Sequence, residues 1–151
     1  MEREIVMNDL NIDDVKSFPK ALGSLFARTT RFDPTDPLSV IDTKDVFLRN
    51  DGVYYTAGGR VATSVFFTSI IFELPPGLAI GKHALGPGGI GVRYFVDDGG
   101  GEEYFRAFVG EITFTGVAEG RRYQASDFQF KARIGSAGKT VEVMMGKLDI
   151  S

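Results

Sequence analysis

The stretch "GVRYFVDDGGGEEYFRAF" (Gly91–Phe108) places three consecutive glycines between two runs of aromatic and charged residues. Such runs around a glycine-rich break predict a β-hairpin, because extended backbone sends successive side chains to opposite faces and glycine accepts the positive φ of a tight turn. Pairing Val96 with Glu103 sets Tyr94 opposite Phe105 and Val92 opposite Ala107, a coherent apolar face. The same register sets Phe95 opposite Tyr104, Arg93 opposite Arg106 and Gly91 opposite Phe108 on the other face. Like charges directly opposite cost free energy unless an anion or a carboxylate lies between them. Arginine among aromatics is also a common recognition composition. Arg93, Phe95, Tyr104, Arg106 and Phe108 are therefore the candidates for a ligand or subunit face. The structural alternative is a face covered by a second sheet, a loop or the N-terminal segment, with Asp or Glu pairing the arginines.

The tip of the hairpin carries Asp97, Asp98, Glu102 and Glu103. Hard cations such as calcium want several oxygen ligands, so these four are the metal alternative. Their spacing departs from the EF-hand pattern, and adjacent residues in extended backbone diverge unless the glycines bend the chain. The tip reads as a solvated turn, and no metal or other cofactor is expected.

Outward from the hairpin the β rhythm continues. "VATSVFFTSIIFEL" (Val61–Leu74) is apolar on both alternate faces, with Phe66, Ile70, Phe72 and Leu74 on one and Val65, Phe67 and Ile71 on the other. Such a strand is covered twice within the chain, or once and then by a second subunit. "NDG" (Asn50–Gly52) between two β-prone runs predicts a further hairpin. Glycine-rich breaks recur at Gly86–Gly89, Gly116–Gly120 and Gly135–Gly138. Strands at roughly 8–12-residue spacing indicate an all-β sandwich or partly closed barrel, with about eight to ten antiparallel strands. Upstream, "NIDDVKSFPKALGSLFARTT" (Asn11–Thr30) is the one helical candidate, with Ser17 as cap, Pro19 in the first turn, and Leu22, Leu25 and Phe26 on one face. Residues 1–45 are expected to form a helix and loop segment packed on a single domain spanning 1–151.

The second half, from Thr68 to Ile150, resembles small bacterial β-sandwich domains of uncharacterised function, some of them in lipoproteins. The matching residues are Pro75 or Pro76, Gly81, Ala107 with Gly110 and Ile112, Phe128 with Phe130, and Gly146 with Leu148. Lys82-His83 stands where that pattern has Thr-Tyr, Ser126 where it has glycine, and no lipobox cysteine is present. The resemblance implies a β-sandwich of bacterial origin and supplies no catalytic residue.

Composition narrows the chemistry. With 151 residues, 43% hydrophobic, thirteen Phe and a net charge of −3, the chain suits one folded domain. The mild acidity gives no reason to expect nucleic acid or an anionic membrane as partner. Cysteine is absent, which excludes thiolate catalysis and Cys-ligated metal. "MEREIVMNDL" lacks the apolar region of a signal peptide, and no run approaches the ~20 apolar residues of a membrane span, so a cytoplasmic protein is expected unless a leader was trimmed.

His83 is the sole histidine, and no serine sits in a G-x-S-x-G elbow. The cluster "GPGGIG" (Gly86–Gly91) leads into a strand, whereas a phosphate loop leads into a helix. Glu73, Glu111 and Glu142 are the formal candidates for a carboxylate-pair hydrolase, each equally explained as the polar face of a strand. Arg121, Arg122, Lys131 and Arg133 read as a solvated strip, without the aromatic-basic motif of an RNA-binding sheet. The expected function is a non-enzymatic binding or interaction module that self-associates. The rival is a small-ligand carrier or hydrolase with a pocket near His83, Arg93 and Arg106.

Overall fold

The structure is a computed structural model and describes residues 10–135 and 138–151. It contains one short helix, α1 (Ile12–Ser17), and ten strands: β1 (Gly23–Thr29), β2 (Val40–Thr43), β3 (Val46–Asn50), β4 (Tyr55–Ala62), β5 (Phe67–Leu74), β6 (Gly81–Ala84), β7 (Gly91–Asp97), β8 (Glu102–Ala118), β9 (Arg122–Arg133) and β10 (Thr140–Ile150). The strands form one antiparallel sheet of order β2-β1-β10-β9-β8-β7-β5-β4-β3, with β6 joined to β8. The ends of this sheet approach each other. Ala21 N–H donates to Val46 C=O at 2.7 Å, Arg60 N–H to Asp45 C=O at 2.9 Å, and the Thr43 hydroxyl to Arg60 C=O at 2.8 Å. The all-β expectation is therefore met by a sheet curled into a nearly closed barrel.

Alternation explains the interior. Leu25 and Ala27 of β1, Ile70 and Phe72 of β5, Tyr94 of β7, Phe105 and Phe114 of β8, and Phe128 and Phe130 of β9 all point inward and are buried. Phe72 meets Phe128 edge-on at 5.1 Å between ring centres. Burial of each such ring contributes about 1.5–3 kcal/mol. Gly146, on β10, faces this packing, and a Cβ there would collide with the Phe128 ring.

A second, smaller core lies outside the barrel. Phe47, Phe67, Ile71 and Phe95 project outward from β3, β5 and β7, and Leu10, Ile12, Val15 and Phe18 cover them. The two apolar faces of β5 are thus both buried within one chain, inward by the barrel and outward by α1. Arg60 fastens the helix, donating to Val15 C=O at 2.5 Å and to the Asp45 carboxylate at 3.1 Å, with its guanidinium over the Phe47 ring.

The N-terminal expectation needs correction. Asn11, with a reciprocal capping box to Asp14, starts the helix, and the chain leaves it at Phe18 just before Pro19. Residues Gly23–Thr29 form β1, because Leu25 and Ala27 alternate into the barrel with Phe26 on the other side. Residues 10–45 are accordingly more than a helix and loop packed on the domain, since β1 and β2 are integral strands of the barrel; residues 1–9 of that expected segment lie outside the described residues. Val65 also departs from expectation, being 75% exposed in the turn before β5. Among the described residues, no helix is long and apolar enough to cross a membrane.

Candidate functional site

The hairpin register predicted for β7 and β8 is present from Asp97–Glu102 to Arg93–Arg106, including Tyr94 opposite Phe105 and Phe95 opposite Tyr104. The ladder ends there, so the expected Val92–Ala107 and Gly91–Phe108 pairs do not form. The loop from Leu85 to Ile90 wedges the strands apart. Leu85 N–H donates to Gly110 C=O at 2.9 Å, Gly86 lies against the Phe108 backbone, and β6 takes over the edge of β8 at Glu111–Phe114. Gly86 (φ 109°) and Gly88 (φ 83°) supply the positive φ that this tight loop requires.

At the mouth of the wedge, Arg106 on β8 has Arg93 on one side and Arg133 of β9 on the other. Neighbouring strands run about 4.8 Å apart, so three arginines leave the outer surface within about 10 Å. Arg133 belongs to this row because β8 carries a bulge between Ala107 and Val109. Phe108 is the extra residue, and the Arg133 guanidinium stacks on its ring at 4.5 Å. On the other side of the row Phe95 meets Tyr104 edge-on at 4.7 Å. Tyr104 accepts from Ile12 N–H at 3.4 Å and donates to Glu102 at 3.0 Å, which ties the start of α1 to this edge.

Together these residues line a groove of about 750 Å³ that also touches Leu10, Asn11 and Pro87. A recess of about 290 Å³ adjoins it, sharing Pro87, Arg93 and Arg106 and adding Glu73 and the Gly86–Gly89 loop. Burial first, and Arg106 second, push the Arg93 guanidinium down to about 10 against the pull of Glu73, so it stays charged at neutral pH. Burial also raises the Glu73 carboxyl, with Arg93 and Arg106 opposing and Asp51 adding to the rise. All five sequence candidates, Arg93, Phe95, Tyr104, Arg106 and Phe108, line the one groove. Reading Arg133 as solvated strip missed its place in the row, and Glu73 belongs beside the arginines.

The acidic tip is spent on the chain itself. Arg31 donates to Glu103 at 2.5 Å and to Asp98 at 3.2 Å, and Lys139 approaches Glu103 at 3.5 Å. A backbone bond from Gly100 chiefly, and Arg31 in addition, hold the Asp98 carboxyl below the usual carboxylate range. Asp97 accepts from Gly99 N–H and Glu102 from Tyr104, while Asp98 and Glu103 share Arg31, so each of the four carboxylates of the calcium alternative has a partner within the chain. No three metal-ligating side chains come together among the described residues.

His83 lies apart from the arginines. Its Nε2 is 2.7 Å from Ala79 C=O, its ring meets Phe114, and it lines neither recess, which corrects the expected His83–Arg93–Arg106 pocket. Glu111 pairs with Lys82 at 3.6 Å and lines, with Glu142 and Lys131, a separate pocket of about 290 Å³. Arg122 forms a fork to Asp149 at 3.1 and 2.9 Å, so the expected basic strip divides. Comparison with protein-family models, with curated proteins and with solved structures found no match to this chain.

Proposed function

We propose that this chain is a non-enzymatic binding protein whose recognition face is the groove over Arg93, Arg106 and Arg133, and that its ligand is an anion with an apolar, flat portion. The observation that carries this reading is the in-register row of three arginines across adjacent strands, flanked by Tyr104 and Phe108. Guanidinium groups bind carboxylate and phosphate oxygens through paired N–H donors, and aromatic faces receive flat apolar groups. A volume near 750 Å³ fits a small molecule, the usual range being about 300–1,000 Å³. Among the described residues, the groove is lined by no general base placed against a nucleophile, and a carrier accounts for these residues better than a hydrolase does. The outer apolar face of β5, one of the two features behind the expected self-association, is buried by α1 and offers no subunit contact.

The test uses anilinonaphthalene sulfonate, a flat aromatic anion. Saturable one-site fluorescence enhancement is expected, weakened by about 0.5 M salt as screening predicts and lost in an R106Q/R133Q variant. Enhancement that is absent, or unchanged in that variant, contradicts the reading.

A further inference from the structure

Resting on the reading of this groove as an anion site, we infer that it selects an aromatic ring over a saturated ring of equal charge, and that Phe108 is the specificity-determining residue. Most phenylalanines of this chain build one of its two cores, whereas Phe108 joins neither the barrel interior nor the outer core under α1. It is half-buried on the groove wall, where its ring meets the Arg133 guanidinium at 4.5 Å.

The backbone explains why the ring is there. Phe108 is the bulged residue of β8, outside the ladder to β9, and the pairing with β7 ends at Arg106. A residue that neither neighbouring strand holds in register is re-aimed by its bulge. On the loop side Gly86 packs so closely that a Cβ there would stand 2.9 Å from the Phe108 carbonyl carbon and oxygen. The loop thus clamps the Phe108 backbone, and the ring is held in place before a ligand arrives, which lowers the entropy cost of stacking on it. Tyr104 also lines the groove, but its ring is engaged edge-on by Phe95 at 4.7 Å and its hydroxyl by Ile12 and Glu102.

The choice of ring follows from electrostatics. An aromatic ring makes offset or edge contacts with Phe108 and is attracted to the flat face of a guanidinium, whereas a saturated ring gains apolar burial alone. Burial by itself favours the saturated ring, because cyclohexyl carries slightly more apolar surface than phenyl. Aromatic pairing adds about three- to tenfold in affinity beyond burial, so the order of the two rings reports whether Phe108 pairs with the ligand.

The experiment is calorimetric titration of the full chain at pH 8 with phenyl phosphate and cyclohexyl phosphate. Both esters are dianions at that pH, the second proton leaving near pH 6, so they differ in the ring alone. Phenyl phosphate is expected to bind at least threefold tighter. Phe108→Leu should abolish the preference, weakening phenyl phosphate at least threefold and cyclohexyl phosphate less than twofold, while Phe108→Trp should keep it. Both variants should still unfold cooperatively, since the ring joins neither core. Cyclohexyl phosphate as tight as phenyl phosphate on the parent chain overturns the aromatic selection and leaves the anion site standing. A preference that survives Phe108→Leu, or is lost in Phe108→Trp, overturns the assignment to Phe108. No binding of either ester at millimolar concentration overturns the anion-site reading itself.

Discussion

The two ends of the β7–β8 hairpin handle charge in opposite ways. At the tip, Asp98 and Glu103 are met by Arg31 and Glu103 also by Lys139, cations delivered from distant parts of the chain. At the base, Arg93 and Arg106 stand in a row with a third arginine, and Glu73 lines the adjoining recess. The tip is a cluster of carboxylates held by cations from elsewhere in the chain; the arginine row at the base lines the groove that we propose as the recognition face. The acidic, glycine-rich tip draws the eye in the sequence, and the proposed recognition face lies at the other end.

The largest effect is expected at the support the two ends share. Phe95 sits between Arg93 and Asp97, buried under α1 and against Tyr104. Phe95→Ala should cost about 3–5 kcal/mol in denaturant unfolding, and should also weaken binding of anilinonaphthalene sulfonate. If stability fell by less than 1 kcal/mol, the outer core would not be what holds the groove wall.

The two ends should then separate. Arg106→Gln is expected to weaken phenyl phosphate binding about tenfold, or ~1.4 kcal/mol, in a chain that still unfolds cooperatively. Arg31→Met should do the reverse, costing about 1 kcal/mol of stability through the loss of a partly buried charged pair while binding stays within twofold. Parallel titrations and urea melts of both variants check the pair; loss of binding in the Arg31 variant would erase the contrast.

Glu73 gives the smallest and most pH-specific effect. Its carboxyl is raised in the folded state, so folding favours the protonated form and that contribution is lost as pH rises through the folded value. Unfolding midpoints of the parent should therefore fall slightly between about pH 4.5 and pH 7 relative to Glu73→Gln, whose phenyl phosphate affinity should be severalfold higher at neutral pH. Superimposable pH profiles would remove Glu73 from the site.

The hairpin was legible because period-two alternation and three glycines fix its register, and every predicted pair from Arg93 outward to the tip is formed. The row's third member was hidden by geometry that residue counting does not contain. The β8–β9 turn pairs Ala118 with Arg122, and an unbroken count from there sets Arg106 opposite Ile134; the bulge at Phe108 shifts the ladder by one and substitutes Arg133. The helix was misplaced for a related reason. Ser17 and Pro19 imitate a helix start, while the working cap is Asn11 with Asp14, and β1 has too few inward residues to announce a strand. The doubly apolar β5 was readable, but the identity of its cover depends on where the segment from Leu10 to Phe18 folds back, a long-range contact that no local pattern encodes.

The most direct test of the central claim is an NMR titration of the full chain with phenyl phosphate, following backbone amides and arginine Nε–H signals. Saturable shifts are predicted at Arg93, Arg106, Arg133, Tyr104 and Phe108, with Arg31 and the amides of residues 97–103 unmoved. Shifts centred on Arg31 and the tip, or dispersed over Arg121, Arg122 and Lys131, would contradict the account.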